Sequence, residues 1–564
     1  MGIARHFASI AGGVFGARQV HYRRAGNGPA VLLLHQSPMS SRDLLPVIER
    51  WQSEFTLIAP DTPGYGLSDP FGREPVTMDD IADGVIELLD ALGIERIAAY
   101  GFHTGAMIAG ALAARHPQRL SCAVANGYVV MGEAERADFL AHYLPRFEPR
   151  WDGSHLTWLW ARLREQTIFF PWYRASQATR MRYDVPKTVT LRDNVNEFLR
   201  AGDHYRVAYH AAFAFESLGA LRAAAVPTLV TAASHDPLHA SLALLAQESL
   251  PGTVELRSGG DLEGTLATAR DFLRRHAAPP PPAPVPAGAL PGRLHSEFVQ
   301  VTGGQLRLRR AGSAEQPQLL LLHGADGSSA TLAPLAQELA GARHVLAPDL
   351  PGHGDSDGIV ADHEVGPLRY AEVLRQALVV AGAESVAICG FGLGGAVGLE
   401  LARLAPGLVR RLLLVDPVLA EPALLAELRA RYAPPLEANW YGGYLLQAWH
   451  LVRDQALFWP WYARNREHVV PGEPQVDPAS VHARVCNLLN DPQRWRLAQL
   501  AEFDYPLAAA LAQCAVPVAL GRSPAAANPA ALEAFAARHA PPRCIELPHA
   551  AAARAVQLLA WLDH

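Results

Sequence analysis

The chain has 564 residues, half of them apolar and 18% charged, with a formal net charge of −6. That length allows two or more domains with sizeable cores, and mild acidity without a basic run argues against nucleic acid or anionic membrane as a partner. Five widely spaced cysteines with no CxxC pair argue against a zinc or disulfide framework and point to a reducing, cytoplasmic compartment.

The first residues carry Arg5 and His6 ahead of a weakly apolar patch broken by glycines, which reads as the lead-in to a first strand and not as a leader. No window of about 18 uncharged apolar residues occurs, so no membrane span is expected. Gln19 to Arg24 opens the strand series, followed by VLLLH ending at His35, LIAPD ending at Asp61, and IAAY from Ile97 to Tyr100. That last strand runs into Gly101-Phe102-His103-Thr104-Gly105 and then an alanine-rich helix. The strand–turn–helix context is that of a nucleophile elbow, G-x-S-x-G, with His103 in the serine position. Further strands are expected at SCAVANG, PTLVTAA and VELRSG. Strands alternating with long helices predict an α/β fold with a mostly parallel sheet flanked by helices. A Trp- and Tyr-rich insertion, about 133–216, reads as a helical cap over the carboxyl ends of the strands.

A proline-rich run at 278–293 reads as a semi-rigid linker. The two sides of it repeat each other. VLLLHQSPMSS matches LLLLHGADGSS, LIAPDTPGYGLSD matches VLAPDLPGHGDSD, AAYGFHTGA matches AICGFGLGGA, and REQTIFFPWYR matches RDQALFWPWYAR, all at an offset of 286 to 290 residues. The expected organisation is lobe 1 at 1–277, the linker, and lobe 2 at 294–564 with its own cap at about 421–505. Duplication of this kind suggests an intramolecular version of a homodimer, lobe packed on lobe, with further homo-oligomerisation open.

Each lobe resembles an α/β-hydrolase-fold protein with a helical cap, on the strength of the strand ending in His-Gln or His-Gly, the D-x-P-G-x-G-x-S-D loop, the elbow and the V-P-x-L-V strand. The resemblance implies two tandem α/β-hydrolase-like domains. It also implies a nucleophile at the elbow, an acid after the next-to-last strand and a histidine after the last. Lobe 1 has His103, Asp236 and Asp261 at these three positions. Lobe 2 has Gly392 at its elbow and no carboxylate in ALGRSPAAANP, so it reads as inactive, with only His549 near the last turn.

A carboxylate on one imidazole nitrogen fixes the tautomer and frees the other as a base. The expected arrangement is therefore a His103–Asp261 dyad with Asp236 nearby, and an oxyanion hole from the backbone amides of Gln36 and Thr104. Ser37, His155, Trp160 and Arg164 are candidates for substrate contact, the cap aromatics equally for cap core. His35 and Asp61 read as structural. Gly390 to Gly395 satisfies G-x-G-x-x-G, but its register with the first elbow makes it a second elbow and not a dinucleotide loop. No cofactor or metal is expected. The expected function is a cofactor-independent enzyme on a small organic substrate, with the aromatic caps pointing to an apolar or aromatic one. The reaction is of hydrolase or lyase type, with His103 as general base. The rival is a catalytically dead protein serving as a ligand-binding or scaffold module.

Overall fold

A computed structural model describes residues 2–182, 184–524, 529–538 and 544–563. Part of the second-lobe stretch ALGRSPAAANP, residues 525–528, lies outside them. The chain divides into two compact units, Met1–Glu148 with Trp158–Leu290, and Pro149–Thr157 with Pro291–His564.

The first unit is built on eight strands: β1 (Ala4–Ile10), β2 (Arg18–Ala25), β3 (Ala30–Leu34), β4 (Thr56–Pro60), β5 (Ile97–Phe102), β6 (Leu120–Asn126), β7 (Thr228–Ala232) and β8 (Val254–Ser258). They are ordered β1-β2-β4-β3-β5-β6-β7-β8. β1 and β2 pair antiparallel and β2 runs antiparallel to β4; every later pairing is parallel. Strands covered on both faces by helices must be apolar throughout. β3 (AVLLL) and β4 (TLIAP) are accordingly buried along their whole length. Leu33, Ala98, Tyr100, Cys122, Val124 and Leu229 share one core with Phe272 and Leu273 of the last helix.

The chain leaves the sheet after β6 and returns at β7. The excursion contains helices Glu133–His142, Ser154–Gln166, Thr188–Ala201 and Tyr205–Ala214. Tyr143, buried, packs edge-on to Phe213 at 5.1 Å. The buried Arg162 guanidinium lies over the rings of Tyr143, Trp172, Phe198 and Tyr205 at 5.2–5.7 Å, which places a cation on aromatic faces instead of beside a carboxylate. The proline-rich segment is laid along this unit: Pro279 accepts a hydrogen bond from the Ala30 amide, and Leu290 is buried.

The second unit repeats the plan with β9 (His295–Val301), β10 (Gly304–Ala311), β11 (Gln318–Leu322), β12 (His344–Pro348), β13 (Val386–Phe391), β14 (Val409–Val415), β15 (Val518–Arg522) and β16 (Cys544–Glu546), in the same order and sense. Helices Pro422–Arg431, Gly443–Gln455, Pro478–Asn490 and Pro492–Asp504 stand between β14 and β15. Among the described residues no helix is long and apolar enough to cross a membrane, and none of the five cysteines is in a disulfide.

Candidate active site

The site stands where β5 gives way to the helix Thr104–Arg115. Two glycines make that turn sterically available. A Cβ on Gly101 would lie 2.0 Å from the Gly105 carbonyl oxygen, and one on Gly105 would lie 2.0 Å from the Leu34 carbonyl oxygen. His103 between them is forced to φ 50°, ψ −110°, a conformation that non-glycine residues rarely hold unless their surroundings fix it. What fixes it is hydrogen bonding on both sides. Its amide donates to the Asn126 carbonyl at 2.9 Å, and its carbonyl accepts from the amides of Ala106 and Met107.

The imidazole lies flat against Phe102, ring centroids 4.0 Å apart. Its Nε2 is 2.8 Å from Asp236 Oδ2. The ring is 24% exposed and the carboxylate 8%, so the histidine is reachable while its partner is shielded. The other Asp236 oxygen accepts from the Leu238 amide at 2.8 Å. Burial works to raise the Asp236 carboxyl, but the adjoining His103 ring, their shared hydrogen bond and the Leu238 amide outweigh it and hold the group below its ordinary range. With Nε2–H on the carboxylate, Nδ1 carries the lone pair. Nδ1 has no hydrogen-bond partner among the described residues and is not a buried orphan.

Asp261 does not join this pair. It is exposed, and its side chain accepts from the Gly264 amide at 2.8 Å as the N-cap of the helix Leu262–Arg275. The expected His103–Asp261 dyad is therefore corrected to His103–Asp236. The physical reason is local: an aspartate opening a helix satisfies the otherwise unpaired first-turn amides.

A cavity of about 180 Å³ opens onto His103. Its polar lining comes from Gln36, Ser37, His103, Thr104, Tyr143, Gln166 and Tyr209, and its apolar lining includes Met107, Met131, Met181, Phe170, Phe213 and Leu238. His35 has both ring nitrogens engaged, Nδ1 with the Gln36 carbonyl at 2.8 Å and Nε2 accepting from the Thr62 amide at 2.9 Å. It is a structural residue that holds the Gln36 peptide in place. The Ser37 amide donates to Thr104 Oγ1 at 3.3 Å. Among the described residues neither the Gln36 nor the Thr104 amide has an acceptor.

Three expected substrate contacts lie elsewhere. Trp160 is buried in the first unit, and Arg164 pairs with Glu165 at 3.4 Å; neither lines the cavity. His155 belongs to the second unit, where its Nε2 is 3.1 Å from His482 Nδ1. Burial, then the neighbouring His482, push its ring down to about 4. The cavity instead uses Tyr143, Gln166 and Tyr209, which the sequence marks only as ordinary cap residues. Nothing in the sequence marks Gly127: with φ 71°, it follows β6, and a Cβ there would meet His103 Cδ2 at 2.4 Å. It leaves room for the ring.

Gly392 has the same backbone as His103, φ 48° and ψ −117°, with its amide on the Val415 carbonyl at 2.9 Å. It is an elbow without a side chain.

Residues 29–259 match the model of a family described as the α/β hydrolase fold, and residues 319–555 match that of the α/β hydrolase family. A stretch of 120 residues, 21% of this chain and 34% of the relative, is 42% identical to an uncharacterized protein of Mycobacterium tuberculosis. A stretch of 108 residues, 18% of this chain and 36% of the relative, is 36% identical to an uncharacterized hydrolase of Saccharomyces cerevisiae. Over 102 residues, 18% of this chain and 36% of the relative, it is 31% identical to haloalkane dehalogenase 2 of Mycobacterium tuberculosis. The chain thus spans about a third of the length of these relatives. Similar solved structures include a hydrolase from Pseudomonas aeruginosa, at 18% identity and a TM-score of 0.37, covering 47% of this chain and 98% of that one. Another is the enol-lactonase from Burkholderia xenovorans, at 20% and 0.34, covering 46% and 97%.

Proposed function

This chain belongs to the α/β-hydrolase fold family twice over, once in each half, and from that premise we propose that its first lobe hydrolyses a small, largely apolar ester or lactone with His103 as general base. The observation that carries this reading is that His103, on the wall of the cavity, is paired with Asp236 at 2.8 Å.

In this reading the substrate carbonyl oxygen accepts from the Gln36 and Thr104 amides, the donors that have no other acceptor. Each such preorganised donor is worth roughly 10²–10³ in rate. Nδ1 of His103 takes a proton from a water molecule as its oxygen attacks the carbonyl carbon. The resulting imidazolium is stabilised by Asp236 and returns the proton to the leaving oxygen as the tetrahedral intermediate collapses. General-base assistance of this kind contributes about 10²–10⁴. Water is the nucleophile because the elbow offers no hydroxyl and an acyl-imidazole is labile. The size and methionine-rich lining of the cavity support a small apolar substrate. The second lobe, with no side chain at Gly392, performs no such hydrolysis.

The test is a panel of aryl and alkyl esters and lactones assayed with the wild type and with His103→Ala. The expected result is hydrolysis by the wild type that falls at least about 100-fold in His103→Ala. Equal rates would remove His103 from the chemistry, and no turnover of any member by the wild type would favour a ligand-binding protein.

A further inference from the structure

The second lobe delivers a functional group to its elbow from the opposite side. In the first lobe the cap helix Tyr205–Ala214 ends with the Phe215 amide on the Ala212 carbonyl; in the second, Pro492–Asp504 ends with the Tyr505 amide on the Glu502 carbonyl. Ala212 and Glu502 are therefore equivalent positions, and Ala212 lines the first lobe's cavity. Where one lobe pairs a histidine elbow with an alanine cap, the other pairs a glycine elbow with a glutamate cap.

Glu502 is 9% exposed. Its Oε2 accepts from Gln499 Nε2 at 3.0 Å. Its Oε1 stands 2.8 Å from where a Cβ on Gly392 would be and has no hydrogen-bond partner among the described residues. Oε1 is not a buried orphan, so it is reachable from the space beside the Gly392 elbow. The groups facing it are Asp326, whose carboxylate is held by Arg484 at 2.8 Å, and the buried Tyr432. The amides of Gly324 and Leu393, equivalent to those of Gln36 and Thr104, again have no acceptor among the described residues.

We propose that the second lobe is a binding site for a small neutral carbonyl compound, whose oxygen is held at the Gly392 elbow by the Glu502 carboxyl and the Gly324 and Leu393 amides. The two amides are donors and a protonated carboxyl is a third, so the ligand atom that suits them is an acceptor oxygen. Burial first, then the Asp326 charge, push the Glu502 carboxyl up to about 8 against the Gln499 hydrogen bond, so at neutral pH it has an O–H to give. A ligand anion would sit beside Asp326, and like charges at close range disfavour that. The site stands whether or not the first lobe is catalytic.

The test is carbon-13 NMR of the full chain titrated with carbonyl-labelled acetone, cyclohexanone and acetophenone, with benzoate as the anionic control. At least one ketone should bind saturably, with its carbonyl resonance moved downfield. Glu502→Ala should weaken that binding about tenfold or more. Binding to the wild type should also fall as pH rises through about 8. Glu502→Gln, which keeps an N–H donor and cannot ionise, should bind with that pH dependence removed. This comparison decides the matter even if the alanine variant fails to fold. Saturable binding unchanged in Glu502→Ala, a wild-type pH profile matching Glu502→Gln, preference for benzoate, or no saturable ketone binding would each overturn the proposal.

Discussion

At the scale of single residues, the candidate site depends on what surrounds His103 as much as on its imidazole. Gly127 and Asp416 occupy equivalent positions, each following the strand residue whose carbonyl accepts the elbow amide, and both have positive φ. The second lobe tolerates a side chain there because Gly392 offers nothing to collide with. In the first lobe an added methyl meets the His103 ring. Gly127→Ala should therefore lower kcat/KM at least about tenfold, because a displaced ring no longer reaches both Asp236 and substrate. Its melting temperature should fall as well, because alanine is strained at this positive φ, and calorimetry beside the kinetics separates the two effects. Asp236 adds a pH signature. A carboxyl held below its ordinary 3.8 contributes stability that is fully present above that value and lost as pH falls through its folded value. The stability lead of the wild type over Asp236→Asn should be constant near neutrality and shrink below about pH 4 in thermal melts.

At the scale of elements, the sheet was legible because its strands are short unbroken apolar runs, as burial on both faces requires. The elbow was legible because only glycines permit its close approaches. The partner of His103 was not. Asp236 and Asp261 both follow carboxyl-terminal strand ends, and nothing in the chain says which way a ring longer than serine will lean. Asp261 did carry a local clue, since an aspartate followed by Glu263 and an amphipathic run is a helix start. Asp261→Ala should accordingly remove a cap, lowering stability by about 1 kcal/mol, and leave kcat/KM at the wild-type value. A tenfold loss of activity would restore Asp261 to the chemistry. His155 was misplaced for a different reason: the segment Pro149–Thr157 clusters with the second unit, and no periodicity within a cap helix signals that.

At the scale of the whole molecule, one plan is used twice with different side chains at the elbow and cap. Both units keep the strand order, the elbow backbone and a structural histidine beneath the first donor peptide, His35 in one and His323 in the other. They differ at the elbow and at the cap position above it, His103 with Ala212 against Gly392 with Glu502. Matching segments along the chain exposed the duplication, but they could not pair elbow with cap, because that pairing crosses more than 100 residues in each lobe. The claim on which the rest depends is that Asp236 orients His103 as a base. The most direct test is kcat/KM of Asp236→Asn beside the wild type on whichever ester or lactone the panel finds. The account predicts a loss of about 100-fold or more, the ring losing the carboxylate that sets its tautomer. Activity within a few-fold of wild type would contradict it.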